Sequence, residues 1–121
     1  MQHKHKKILV VDDEPDILEF LEVILEDEGY RVAVANKGEY LEKLDNGNLP
    51  DLILLDVLLS GQDGREIVKR LKGQERTKDI PVIMFSAHPS AERTARKAGA
   101  EDFLAKPFDV DILLAKIAKY L

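Results

Sequence analysis

Leu52-Ile53-Leu54-Leu55 is an apolar run with no polar break, and it ends on Asp56. Such a run reads as a strand covered on both faces, the central position of a parallel sheet. Asp56 then sits where the strand leaves the core. In open α/β sheets, ligands bind at the carboxyl ends of the strands. A rigid strand would therefore deliver a carboxylate to the binding edge. An Asp there can also simply begin a turn, so its meaning depends on what the other strands bring beside it.

The motif recurs along the chain. Ile8-Leu9-Val10-Val11 ends in Asp12-Asp13-Glu14, and Pro15 then suits the first turn of a helix bearing Ile17, Leu18, Leu21, Ile24 and Leu25. Gly29 is its stop. Arg31–Ala35 is a less apolar strand that belongs nearer an edge, and Asn36 with Glu39 predicts a capped helix carrying Tyr40, Leu41 and Leu44. Asn46-Gly47-Asn48-Leu49-Pro50 is turn chemistry before the central strand.

After Asp56 comes a loop, then a helix over Ile67, Val68 and Leu71 with Asp63 and Glu66 at capping spacing. Ile80–Phe85 is a fourth strand leaving through Ser86, and Asp102–Ala105 is a fifth, ending at Lys106-Pro107. Between them only Ala91, Ala95 and Ala98 give a helical stripe. Asp109 caps a last helix with Leu113, Leu114 and Ile117. Five strand-then-helix units predict a three-layer α/β sandwich around a five-stranded parallel sheet.

At 121 residues the chain is one domain, large enough to bury roughly two-thirds of its unfolded surface. No cysteine is present, which excludes disulfides and thiolate metal sites and fits a reducing, cytoplasmic setting. A net charge of −5 argues against binding nucleic acid through its phosphates. No apolar run approaches a membrane span, and the apolar run after the basic start is too short for a signal peptide. Residues 1–6, with alternating His and Lys, suit a disordered leader or tag better than a metal site. Residues 7–121 form the domain.

The strand ends together supply Asp12, Asp13, Asp56, Ser86 and Lys106. Three carboxylates held together need a cation. Hard oxygen ligands with open positions suit Mg²⁺, which prefers one or two carboxylates plus phosphate oxygens. A lysine is a compact charge for a phosphate oxygen, and a serine hydroxyl can donate to another. The set describes a metal and a phosphoryl group beside a carboxylate nucleophile.

These residues, with Asp63-Gly64, Ser86-Ala87, Gly99-Ala100-Glu101-Asp102-Phe103 and Lys106-Pro107-Phe108, resemble the receiver domain of two-component response regulators, the CheY-like superfamily, over essentially the full length. The resemblance implies a flavodoxin-like (βα)5 sheet of order 2-1-3-4-5. It implies that Asp56 accepts a phosphoryl group from a histidine kinase, a histidine phosphotransfer protein or a small acyl phosphate. Mg²⁺ (or Mn²⁺) would be held by Asp13, Asp56 and the Leu58 carbonyl, with Asp12 acting through water. Lys106 and Ser86 would contact the phosphoryl oxygens, Phe103 would turn inward, and the Lys106-Pro107 bond would be cis. The shifted surface would be the fourth helix, fifth strand and fifth helix. The chain would catalyse its own phosphorylation and slow dephosphorylation, with Leu58 and His88 placed to tune the latter. It would be either a stand-alone receiver or part of a larger regulator or hybrid kinase.

Some residues depart from the family pattern. Ser60 stands where Pro is usual, which would leave that loop less rigid without losing a ligand. Ser86 replaces the commoner Thr, and Phe103 the commoner Tyr. The interval from Ser86 to Phe103 is about two residues short, so a short, loosely held fourth helix is expected, and dimerisation through it is disfavoured. A receiver that binds partners without taking phosphate is the alternative, although none of the residues whose loss would mark it is missing. A haloacid-type hydrolase would need a second Asp where Leu58 stands. A dinucleotide site would need a glycine-rich loop where Asp12-Asp13-Glu14 stands.

Overall fold

The computed structural model describes residues 6–44 and 47–121. The leader and the Asn46 end of the proposed turn therefore lie largely outside the described residues. Elements run β1 (Lys7–Val11), α1 (Pro15–Asp27), β2 (Arg31–Ala35), α2 (Glu39–Glu42), β3 (Leu52–Asp56), α3 (Gly64–Lys72), β4 (Val82–Ser86), α4 (Glu92–Ala98), β5 (Asp102–Ala105) and α5 (Val110–Tyr120). A two-residue ribbon, Leu58–Leu59 against Gln62–Asp63, lies between β3 and α3.

The five strands are all parallel in the order β2-β1-β3-β4-β5, the flavodoxin-like arrangement expected. Period-two alternation divides the core between the two faces of the sheet. Ile8, Val10, Leu52, Leu54, Ile83 and Phe85 pack with Leu21 and Leu25 of α1 and Leu113 and Ile117 of α5. Leu9, Val11, Ile53, Leu55 and Met84 pack with Leu41, Ile67, Val68, Leu71 and the alanines of α4. Both faces are covered, which is why β3 has no polar position before Asp56.

Helix ends follow the local chemistry. Pro15 opens α1, Asp63 caps α3 by accepting from the Arg65 N–H, and Asp109 caps α5 by accepting from the N–H groups of Asp111 and Ile112. Gly29, at φ 98°, follows α1 in a conformation that other residues adopt at a cost. The Lys106-Pro107 peptide is cis.

Helix α2 departs from the expectation. It spans only Glu39–Glu42, with Gly38 at the N-cap and no side chain capping it. Asn36 lies in the preceding bend. Gly38 lies close to the Ile67 and Gln62 side chains: a Cβ there would fall 2.3 Å from Ile67 Cδ1 and 2.5 Å from Gln62 Oε1. Gly38, the residue before the helix, lies two residues beyond the Asn that local spacing had marked.

Helix α4 is short, as expected: seven residues after a 3₁₀ turn at Pro89–Ala91. Ala91, Ala95 and Ala98 are buried, but each contributes little area. Arg96 adds polar ties to Glu92, Asp102 and the Glu101 carbonyl. The pair with Glu92 joins two exposed groups and contributes little, which leaves the contact with the buried Asp102 as the main polar tie. Amides of residues 92–98 should therefore exchange with solvent ahead of those in α5, measured by native-state hydrogen exchange. Equal protection of the two helices would show that α4 is as firmly held as α5. Among the described residues, no helix is long and apolar enough to cross a membrane.

Candidate functional site

The strand registers assemble the site. Val11 pairs with Leu55, so Asp12 and Asp56 leave adjacent strands at the same level. Asp56 pairs with Phe85, and Ser86 pairs with Ala105. Asp12, Asp56, Ser86 and Lys106 thus form one row along the carboxyl edge, drawn from four strands. Asp13 stands one residue beyond Asp12.

Carboxylate oxygens of Asp12, Asp13 and Asp56 all lie within 4.8 Å of one another. Asp12 is fully buried and Asp56 is 6% exposed. The Lys106 Nζ lies 2.9 Å from Asp12 Oδ2, 3.3 Å from Glu14 Oε1 and 3.4 Å from Asp56 Oδ2. It also lies 4.9 Å from the centre of the Phe85 ring. Asp56 Oδ1 accepts a long bond, 3.4 Å, from the Leu58 N–H. Asp12 Oδ1 accepts from the Glu14 N–H at 2.8 Å.

Asp56 is poorly satisfied. Burial, and then the Asp12 charge, push its carboxyl up to about 6; Lys106 and the Leu58 N–H offset only part of this. Asp13 goes the other way, held below the usual carboxylate range chiefly by the Ser60 hydroxyl, with the Ser60 N–H contributing. Burial alone would lower Lys106, but Asp12, Asp56 and Glu14 more than compensate, and its ammonium form is favoured. One lysine facing three carboxylates leaves an excess of negative charge in a desolvated place. That donor set fits a small hard cation.

The other sequence-marked residues stand nearby. Ser86 is buried, and its Oγ accepts from the His88 N–H at 3.0 Å. Leu58, Ser86 and His88 border one cleft of about 240 Å³ with Arg65 and Thr94. Leu58 is 51% exposed. Phe103 is buried in the cluster that holds Met84 and the α4 alanines.

Three residues make contacts at the site that the sequence had not assigned to them. Glu14 joins the Lys106 cluster. Arg65 grips both oxygens of Asp63 and donates to Thr94 Oγ1 at 2.7 Å, joining the start of α3 to α4. Ser60, expected only to loosen its loop, is tied to Asp13 through both its N–H and its hydroxyl. The acidic triplet hinted at Glu14; nothing local marks the other two.

Gly64 closes the floor of the site. A Cβ there would sit 2.3 Å from the Asp56 carbonyl oxygen and 3.0 Å from that of Val57. Neither can move without shifting the β3 end. Gly64→Ala should cost about 1–3 kcal/mol, as overpacking does, measured by urea unfolding. A cost near zero would mean that the β3–α3 junction is free to relax.

A family model described as the response regulator receiver domain matches residues 8–118. The chain is 39% identical over 117 residues to the DNA-binding dual master transcriptional regulator RpaA of Synechocystis, covering 95% of this chain and 48% of that one. It is 39% identical over 114 residues to the phosphate regulon transcriptional regulatory protein PhoB of Escherichia coli, covering 93% and 50%. The chain spans about half the length of these curated relatives. Among solved structures, the response regulator TrrA of Thermotoga maritima, in complex with Mg²⁺-BeF, matches with a TM-score of 0.85 at 34% identity, covering 96% of this chain and 99% of that one.

Proposed function

This chain belongs to the response regulator receiver family of two-component systems, and from that premise we propose that Asp56 is its phosphoacceptor. The observation that carries the reading is the convergence of Asp12, Asp13 and Asp56 oxygens within 4.8 Å, with the Lys106 ammonium against Asp12 and Asp56. The donor is the phosphohistidine of a histidine kinase or phosphotransfer protein, or a small acyl phosphate. An Asp56 carboxylate oxygen attacks phosphorus. The donor's P–N or P–O bond breaks, and its electron pair leaves with the imidazole or the carboxylate.

Asp13, Asp56 and the Leu58 carbonyl are the ligands for Mg²⁺ or Mn²⁺, with Asp12 acting through water. The cation, when bound, neutralises charge on the transferring oxygens. Lys106 moves its ammonium from Asp56 to a phosphoryl oxygen. Ser86 turns its hydroxyl from the His88 N–H toward another. Both interactions favour the phosphorylated product and bias a minor conformer of α4, β5 and α5. Phe103, packed beside the α4 alanines, is the side chain that shift must accommodate. Leu58 and His88 border the same cleft and control access of water to the acyl phosphate.

Residues 7–121 act as one receiver domain, working in the cytoplasm. They read a kinase rather than nucleic acid, which the net charge of −5 supports. An output domain or a target protein receives the signal.

The test is the intact mass of the protein after incubation with acetyl phosphate and Mg²⁺. One phosphoryl group should add to the wild type, and none after chelation. Failure of the wild type to take up any would favour a receiver that only binds partners.

A further inference from the structure

Asp13 holds the least protected place in the acidic cluster. Asp12 is fully buried and Asp56 nearly so, whereas Asp13 is only half-buried. A metal-binding carboxylate that can swing contributes less than one held still, because ordering it costs entropy at the moment of binding. This chain supplies a restraint. Ser60, from the turn of the small ribbon, donates its N–H to Asp13 Oδ2 at 2.9 Å and its hydroxyl to the same oxygen at 2.5 Å. The residues are 47 apart in sequence.

The ribbon is built to hold that serine in place. Leu58–Leu59 pairs antiparallel with Gln62–Asp63, and Leu59 is buried. Gly61 turns the chain at φ 74° in open space. A carboxylate oxygen has about two lone-pair directions. Two donors on Oδ2 therefore fill that oxygen, fix the plane of the group and leave Oδ1 for a cation.

We propose that Ser60 is a positioning residue for magnesium: it clamps Asp13 so that the free oxygen meets the ion already oriented. This rests on the metal reading above and adds to it a residue outside the ligand set. A partner that orients a ligand from behind commonly contributes 10–100-fold in metal affinity.

The test is calorimetric titration of the metal-free chain with Mg²⁺ alone, with no phosphodonor. Ser60→Ala should bind about tenfold more weakly than wild type, and Ser60→Thr, which keeps the hydroxyl, should bind like wild type. In an Asp13→Ala background, Ser60→Ala should have little further effect, because the carboxylate it orients is already gone. A merely structural serine would act equally in both backgrounds and would show itself in unfolding without metal. If wild type and Ser60→Ala bind alike, or the alanine variant binds more tightly, the clamp is refuted while the metal site stands. If the wild type takes up no Mg²⁺, both readings fall together.

Discussion

Asp56→Asn should lose the phosphoryl adduct completely and yet make the metal-free protein more stable at neutral pH. The first effect follows from removing the proposed nucleophile; the amide cannot form the acyl phosphate. The second follows from the charge balance. In the folded chain the Asp56 carboxyl is pushed up to about 6 by burial and by Asp12, from 3.8 in the absence of those neighbours. A carboxyl raised by folding holds its proton more tightly in the folded than in the unfolded state. Its contribution is complete below about pH 4, is lost as pH rises through about 6, and leaves an uncompensated charge above that.

Two pKa units correspond to about 3 kcal/mol, an upper limit because Lys106 keeps part of its contact with the charged form. The expected gain for Asp56→Asn is thus about 1–3 kcal/mol at pH 8, shrinking toward zero near pH 4. Urea unfolding across that range measures it. Saturating Mg²⁺ should then reverse the order, stabilising the wild type by mass action and the amide variant much less. An asparagine variant less stable than wild type at pH 8 would mean that Asp56 is well satisfied without metal. A phosphoryl adduct surviving in that variant would place the acceptor elsewhere.

The same crowding explains what could be read from the sequence. Each apolar run that becomes a strand, apart from β2, ends in a candidate site residue, because a parallel sheet brings every carboxyl end to one edge. Asp12, Asp56, Ser86 and Lys106 need only the strand order to meet, and βα alternation leaves few orders open. The edge position of β2 was equally plain, since Arg31–Ala35 is the least apolar run. Loop geometry was not legible in this way. That Ser60 reaches Asp13, or that Arg65 spans from Asp63 to Thr94, depends on how a two-residue ribbon and a seven-residue helix settle on the core. Helix α2 failed for a related reason. The capping pattern at Asn36 is local, whereas the helix follows Gly38, where the chain packs against the Ile67 and Gln62 side chains, and tertiary context routinely overrides local preference.

Lys106→Met carries the largest expected loss of stability. Its ammonium is the only cation among the described residues within 4.0 Å of Asp12 or Asp56, and it touches Glu14 as well. Methionine keeps much of the side chain's bulk against Phe85 and removes only the charge. Asp12 is then left fully buried with no cation beside it. Breaking a buried pair from one side typically costs about 3–5 kcal/mol. The loss should be greatest at pH 8 and smaller near pH 5, where Asp56 regains its proton and stops repelling Asp12. Two rescues separate electrostatics from packing. Asp12→Asn added to Lys106→Met should recover most of the loss, because the unpaired charge is gone. Mg²⁺ at saturation should recover part of it, because a divalent cation beside Asp13 and Asp56 replaces the missing positive field. A variant that unfolds early regardless of pH, of Asp12 and of magnesium would show that the loss is not one of charge. The carboxylates would then have to be at ease without it, and the case for a built metal and phosphoryl site would lose its electrostatic foundation.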